Sequence, residues 1–482
     1  MTAPLVLVTG ATGYVGGRLV PRLLEAGVRV RCMARDPARL GDRPWRDRVE
    51  LVRADALEPD TLEAALHGVD FVYYLIHSLG AGSDAFAERD LEAARNVARA
   101  AAAAGVRRIV YLGGLEPQGE RVSEHLRSRL ATGDRLRESG VPVTELRAGV
   151  IVGSGSLSFE LVRYLTERVP VMVCPRWVRT RTQPIAIRDV LSYLVEAIEP
   201  HVEPRVYEIG GADVLTYRDM FRIYAEERGL TRRIIDVPVL TPRLSSLWVG
   251  LVTPLPAGTA RPLIAGLDNE VLVRDDAALH TFDVRPMGYR EAVRRALERT
   301  RADVPETAWH GAYSSGRGSR PPVTVEQAEG LIREVRERIV DAPPPRVFDV
   351  CRRIGGAEGW LYAQPLWEVR GLLDRALGGV GLQRGRRSAE DLRVGDAIDF
   401  WRVEALEPDR LLLLRAEMRL PGRAWLRMET QPADGDRTRL RVSALFEPRG
   451  LAGVAYWYAL YLPHRFIFSG MVEEIARRAR PA

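Results

Sequence analysis

The sequence predicts an α/β fold: a doubly wound parallel sheet in its first half, a smaller lobe built on that sheet, and a C-terminal α+β module. Three observations carry this. Short β-branched runs alternate with alanine- and leucine-rich amphipathic stretches from Pro4 to about Arg147; a Gly-, Ser- and Pro-rich segment fills 301–323; and beyond it strand-like runs follow one another directly. The 482 residues are too many for one ordinary core, so the segment 301–323 is read as a linker between domains at 1–300 and 324–482.

The runs LVLVT (5–9), VRVRCMA (28–34), VELVRA (49–54), DFVYYLI (70–76), RIVYLG (108–113) and VTELRA (143–148) are nearly continuous apolar strands, as a sheet covered on both faces requires. Between 150 and 300 the elements are mixed: a helix after Ser156, a strand at VYEIG (206–210), a helix opened by Thr216, and a last helix from Tyr289 to Arg299. They read as a substrate-facing lobe. Past the linker come AIDFWRVEAL (397–406), RLLLLRAEM (410–418), AWLRMET (424–430) and RLRVSALFEP (439–448), antiparallel strands closed by an apolar C-terminal helix.

Composition excludes several classes of function. The net charge is +6, but basic residues are interleaved with acids along the chain, which argues against a nucleic-acid arm. All 70 basic residues are arginine, so no lysine can serve as a base or Schiff-base former. Cys32, Cys174 and Cys351 lie far apart, and the seven histidines are scattered, so no metal site is expected. Reduced thiols and the lack of an export signal fit the cytoplasm. The apolar stretches Leu244–Leu267 and Leu451–Met471 are interrupted by Pro254, Pro256, Arg261 and Pro262, and by Pro463, His464 and Arg465. Neither reads as a membrane span, though 244–267 leaves room for a peripheral membrane contact.

After the first strand comes Thr9-Gly10-Ala11-Thr12-Gly13-Tyr14-Val15-Gly16, then an amphipathic helix ending before Gly27. Glycine at these three positions lets the chain turn tightly, lets backbone approach a pyrophosphate, and leaves helix N–H groups for the anion. This is a dinucleotide site. At the end of the second strand Arg35, beside Asp36, offers a guanidinium fork for a 2′-phosphate where an acid would take a 2′-hydroxyl, so NADP(H) is expected in preference to NAD(H). Arg31 is a second candidate cation. Asp55 and Ala56 are placed to meet the adenine edge, and Ile76 and His77 end the fourth strand where the cofactor crosses.

These residues resemble the atypical short-chain dehydrogenase/reductases, in the branch of NmrA-like regulators and the nucleotide-binding accessory subunit of respiratory complex I. The similarity extends to about residue 300 and includes Thr182 to Val190. It implies a Rossmann fold and NADP(H). Active members of the superfamily carry a serine after the fifth strand and Tyr-x-x-x-Lys on the next helix. Here Gly113-Gly114 follows Tyr111-Leu112, and the helix offers His125-x-x-x-Arg129, one turn apart on one face. Arg129 is the candidate ribose-holding cation, and His125 the candidate proton donor. His77 and Tyr111 are further candidate donors; exposed, solvated side chains are the alternative for the His/Arg pair.

Residues 325–480 resemble a bacterial domain of unknown function often fused to such reductases, and its end is similar to the helix-grip fold of START-like, polyketide-cyclase-like proteins. Gly359-Trp360, Leu366 to Gly371, Arg384 to Arg387, Asp399 to Val403, and Tyr456-Trp457-Tyr458 with Pro463-His464 carry that resemblance. Trp360, Trp367, Trp401, Trp425 and Trp457 either fill a core or line a pocket. Arg384, Arg386 and Arg387 either meet an acidic head group or are solvated. The expected function is an NADP(H)-dependent oxidoreductase acting on an apolar, lipid-like small molecule. The alternatives are a non-catalytic NADP(H) sensor or assembly protein, and a lipid carrier.

Overall fold

The computed structural model describes residues 3–40, 43–76, 84–117, 124–236, 266–302, 323–328, 330–355, 359–376 and 392–480. They fall in two compact units, Met1–Gly316 and Arg317–Ala482. Of the expected linker 301–323, residues 301–302 end a helix and Val323 begins a strand, while 303–322, the stretch 244–265 and Arg384 to Arg387 lie outside the described residues.

In the first unit strands and helices alternate: β1 (Leu5–Val8), α1 (Gly16–Glu25), β2 (Arg29–Ala34), β3 (Glu50–Arg53), α2 (Leu62–Leu66), β4 (Phe71–Tyr74), α3 (Asp84–Ala103), β5 (Arg108–Gly114), α4 (Glu124–Arg137) and β6 (Val143–Ala148). The lobe follows with β7 (Ile151–Val152), α5 (Leu157–Arg168), β8 (Val171–Cys174), β9 (Arg181–Thr182), β10 (Ile185–Ala186), α6 (Ile187–Glu196), β11 (Val206–Ile209), β12 (Leu215–Thr216), α7 (Tyr217–Arg228) and β13 (Arg233–Asp236). Seven strands pair in the order β11-β6-β5-β4-β1-β2-β3, every pair parallel.

Both faces of this sheet are covered, and the period-2 alternation of β1 shows how. Val6 and Val8 pack with Leu19 and Leu23 of α1 and Val190 and Leu194 of α6, while Leu5 and Leu7 pack with Leu62 of α2 and Val97 of α3. Strand order reverses beside β1, whose neighbours are β2 and β4, and a crevice at the carboxyl ends of strands is where such sheets bind ligands. The lobe has its own core of α5, α7 and the helix Tyr289–Ala302, with Phe159 edge-on to Tyr224. Thr216 opens α7 with a capping box to Asp219.

The second unit is an antiparallel sheet of β14 (Val323–Ala328), β15 (Leu331–Val340), β16 (Ala397–Ile398), β17 (Trp401–Glu407), β18 (Leu411–Ala416), β19 (Gly422–Ala433) and β20 (Arg437–Pro448), in the order β14-β15-β20-β19-β18-β17-β16. Helices Pro344–Arg352 and Tyr461–Ala479 pack on it, a helix-grip-like α+β arrangement. β14 and β15 carry no signal among the strands read from sequence. LIREVRERIV is crowded with charge, yet its inward Glu334 and Arg336 are both buried and paired with each other. The single C-terminal helix expected is two, Gly450–Ala459 and Tyr461–Ala479, broken at Leu460 ahead of Pro463.

All five C-terminal tryptophans are buried. Trp360 stacks on Phe400 and donates its indole N–H to Asp399 at 2.8 Å, and Trp425 donates to Glu404 at 2.7 Å. The three cysteines are buried and form no disulfide, and burial pushes the Cys32 and Cys351 thiols up to about 12, so these two stay protonated. Among the described residues no helix is long and apolar enough to cross a membrane, and no cluster of His, Cys, Asp or Glu has the makings of a metal site.

Candidate functional site

The glycine turn sits at the carboxyl end of the central strand. Thr9, the last residue before it, donates its hydroxyl to the Tyr73 carbonyl at 3.0 Å and accepts from the Leu75 N–H at 3.0 Å, tying β1 to β4 directly beneath the turn. Gly10 has φ +70°, and a Cβ there would lie 2.7 Å from the Leu75 oxygen. A Cβ on Gly16 would lie 2.4 Å from the Gly10 oxygen, and one on Gly13 would lie 3.1 Å from it. Any side chain at 10 or 16 would collide with backbone, so the cradle closes only with glycine. Gly13 donates its N–H to Gly10 at 2.8 Å, and α1 starts at Gly16, so the chain from Ala11 through Val15 rounds the helix N-terminus. This geometry fits the pyrophosphate of a dinucleotide.

A residue that sequence reading missed supports the cradle from behind. Arg18 is 2% exposed, lies over the Tyr14 ring at 4.7 Å, and donates to the Ser154 carbonyl at 2.8 Å. A Cβ on Gly153 would fall 2.5 Å from the Tyr14 hydroxyl, so the loop after β7 presses directly on the turn. The same loop leads into α5, where Glu160 accepts from the Gly155 N–H at 3.1 Å and lies 3.7 Å from Arg163. Arg18 shares a helix stripe with Arg22 and Glu25, both exposed, so its periodicity reads as a solvent face. The lobe's loop, through the Ser154 carbonyl, and the Tyr14 ring cover Arg18.

The candidates for the adenosine end separate. Arg35 and Asp36 are exposed just past the tip of β2. Arg31 is not at that tip: it pairs with Glu50 at 2.7 Å and donates to the carbonyls of Ala65 and His67 at 3.0 and 2.8 Å, pinning β3 and the end of α2. Three residues before the strand end, its guanidinium is engaged away from the crevice. Asp55 follows β3 half-buried and accepts from the Leu57 N–H at 3.0 Å, which shapes its own turn. Ala56 is buried, with its carbonyl taken by Asn96 at 3.0 Å. Ile76 is half-buried beyond β4, and His77 lies outside the described residues.

At the carboxyl end of β5, Gly113 and Gly114 lie beside two charged side chains. Arg129 of α4 donates to the Leu112 carbonyl, and a Cβ on Gly114 would be 3.5 Å from its Nε. A Cβ on Gly113 would be 3.0 Å from the carboxylate of Glu145, which is fully buried and held by Arg137 and by Arg147 at 2.8 Å. Arg129 thus stands as a half-buried permanent cation over the strand end. Tyr111 is turned away: it is buried, its hydroxyl donates to the Arg129 carbonyl at 2.9 Å, and burial raises its pKa, Arg129 opposing. His125 lies on α4 one turn before Arg129, and its side chain is outside the described residues. In the motif Thr182 to Val190, Gln183 bridges the Gly211 carbonyl (2.8 Å) and the Val273 N–H (3.1 Å), while Asp189 accepts from the Met287 N–H at 2.9 Å. These bonds tie the lobe to the sheet.

The family described as NAD(P)H-binding matches residues 10–164, and a family of proteins of unknown function, DUF2867, matches residues 331–471. Among curated proteins, the chain is 32% identical over 223 residues to a (4-alkanoyl-5-oxo-2,5-dihydrofuran-3-yl)methyl phosphate reductase of Streptomyces griseus, covering 45% of this chain and 71% of that one. It is 30% identical over 240 residues to a ceramide reductase of Caulobacter vibrioides, covering 48% and 74%. Among solved structures, a Citrobacter sp. triphenylmethane reductase aligns with a TM-score of 0.50 at 21% identity, over 61% of this chain and 99% of that one, a likeness of fold.

Proposed function

The chain belongs, through its N-terminal unit, to the NAD(P)H-binding Rossmann family, and from that premise we propose that it is an NADP(H)-dependent reductase of an apolar small molecule. The observation that carries this is the glycine cradle at the strand-order reversal, with Arg129 held over the end of β5. Gly10 to Gly16 would hold the pyrophosphate, Arg35 the 2′-phosphate, and Asp55, Ala56 and Ile76 the adenine side. Bound NADPH would supply a hydride. Arg129 would hold the nicotinamide ribose, as a lysine does in related enzymes, and its hydrogen bond to the Leu112 carbonyl, which keeps it at the end of β5, supports that role. His125, one turn away, is proposed to give the proton, because the Tyr111 hydroxyl spends its proton on the Arg129 carbonyl and burial makes it a weaker acid.

The apolar part of the substrate draws on the relatives, whose names carry a ceramide and an alkanoyl chain, the latter on a dihydrofuranyl methyl phosphate. The START-like resemblance of the C-terminal unit supports the same reading. Gly113-Gly114 in place of the serine favours a second reading, an NADP(H) sensor without turnover. One experiment separates them. Purified protein is incubated anaerobically with NADPH and a panel of enones, aldehydes and long-chain ketones, and nicotinamide oxidation is followed by absorbance. Turnover that His125→Ala abolishes supports the reductase; tight NADPH binding with no oxidation of any acceptor gives the sensor.

A further inference from the structure

A carboxylate in the middle of a sheet covered on both faces needs a reason. Glu145 is the third residue of β6, 0% exposed, in register with Tyr111 of β5 on one side and Val206 of β11 on the other. Burying a charge is costly even when it is paired, and an apolar side chain of similar volume would close the sheet there at less cost. Two glycines make the slot that holds it. A Cβ on Gly133 of α4 would lie 2.5 Å from its Oε2, and one on Gly113 of β5 would lie 3.0 Å from its Oε1. Arg137 of α4 donates to Oε2, and Arg147 of the same strand donates to Oε1 at 2.8 Å.

These contacts fix α4 both along its axis and around it. Arg129, Gly133 and Arg137 recur every four residues, so they share one stripe of the helix. Along that stripe Arg129 donates to the Leu112 carbonyl, Gly133 brings the helix backbone against the Glu145 carboxylate, and Arg137 pairs with it. Apolar packing alone is non-directional and sets neither height nor rotation sharply. A carboxylate bonded to Arg137, with the helix backbone in contact at Gly133, sets both. Arg129 stands two turns away on the same rigid element, about 12 Å along its axis.

We propose that Glu145 is a positioning residue of the dinucleotide site, which sets α4 on the sheet and so places the Arg129 guanidinium at the end of β5. The inference rests on the reading of Arg129 as the cation that holds the nicotinamide ribose. Glu145 is fully buried and touches neither cofactor nor substrate, so it acts only through the helix. Tyr111 is the complementary tie: its hydroxyl donates to the Arg129 carbonyl at 2.9 Å and holds the backbone of α4 directly at that residue. Together they hold the helix at two points, one beside Arg129 and one two turns on, as a site that needs its groups placed within a fraction of an ångström requires.

The test titrates the full chain with two ligands: NADPH, and adenosine 2′,5′-bisphosphate, which lacks the nicotinamide half. Glu145→Gln keeps the shape and removes the charge; it should weaken NADPH about tenfold and leave the bisphosphate unchanged, whereas a purely structural loss moves both ligands or neither. Arg137→Met breaks the same tie from a side chain 35% exposed and should do likewise, which keeps the proposal testable if Glu145→Gln does not fold. Arg129→Ala should also weaken NADPH about tenfold, and Glu145→Gln added to it should cost nothing further, because both act through one guanidinium. Equal loss of the two ligands, no loss of NADPH, or losses that add in the double variant would each overturn the proposal. Should Arg129→Ala alone leave NADPH affinity unchanged, the ribose-holding reading fails, and the proposal falls with it.

Discussion

Replacing Gly10 by alanine tests the phosphate cradle through two separable costs. The first is conformational: φ at Gly10 is +70°, and a left-handed residue with a Cβ costs about 1–2 kcal/mol. The second is steric: the new methyl would stand 2.7 Å from the Leu75 oxygen and 3.0 Å from its carbon. Both are backbone atoms of the strand end tied down by Thr9, and overpacking against such neighbours costs about 1–3 kcal/mol more. Gly27 provides the control, since its φ is +77° and a Cβ there meets nothing within 4 Å. Gly27→Ala should therefore lose only about 1–2 kcal/mol of stability, and Gly10→Ala about 2–5 kcal/mol. If the Gly10 turn relieves its clash by opening, the excess appears as lost affinity, about 2 kcal/mol or some thirtyfold in the NADPH dissociation constant. Thermal or denaturant unfolding measures the first quantity and fluorescence titration with NADPH the second. Equal destabilisation by the two substitutions, with NADPH affinity unchanged in Gly10→Ala, would refute the reasoning.

Arg35→Asp should weaken NADPH relative to NADH by about ten- to a hundredfold, the worth of a charge-assisted contact, in paired titrations; an unchanged ratio removes Arg35 from the 2′-phosphate. Arg129→Ala should lower kcat by at least about tenfold, and Arg129→Lys should restore most of it, because a compact cation on the same helix can hold the ribose. Arg18→Met should cost about 1.5–3 kcal/mol in unfolding free energy by removing the charged donor to Ser154, with the loop Gly153 to Ser156 gaining faster hydrogen exchange. His464 carries a pH signature: its pKa is lowered from 6.5 to about 4 by burial, with Arg370 adding to it, so the unfolded chain binds the proton first. Stability should fall as pH drops from 6.5 toward about 4, and the difference between parent and His464→Phe unfolding curves across that window should show it.

The sequence by itself determined the strands β1 to β6 nearly to the residue, the glycine turn between β1 and α1, and the antiparallel runs near the C-terminus. Each rests on a signal local to a few residues: continuous apolar runs where a sheet is covered twice, or glycine where no Cβ fits. Tertiary structure alone decided the rest. It gave Arg31 to Glu50 and two carbonyls rather than to a phosphate, turned the Tyr111 hydroxyl onto α4, and buried Arg18 on a stripe that reads as solvent-facing. It also hid β15 behind a run of charges whose inward members neutralise each other, and put Leu372 outside while Asp374 went in. The reason is common to all five. A charged or polar side chain is read from sequence as solvated, and only the partner brought to it by distant parts of the chain determines whether it can be buried.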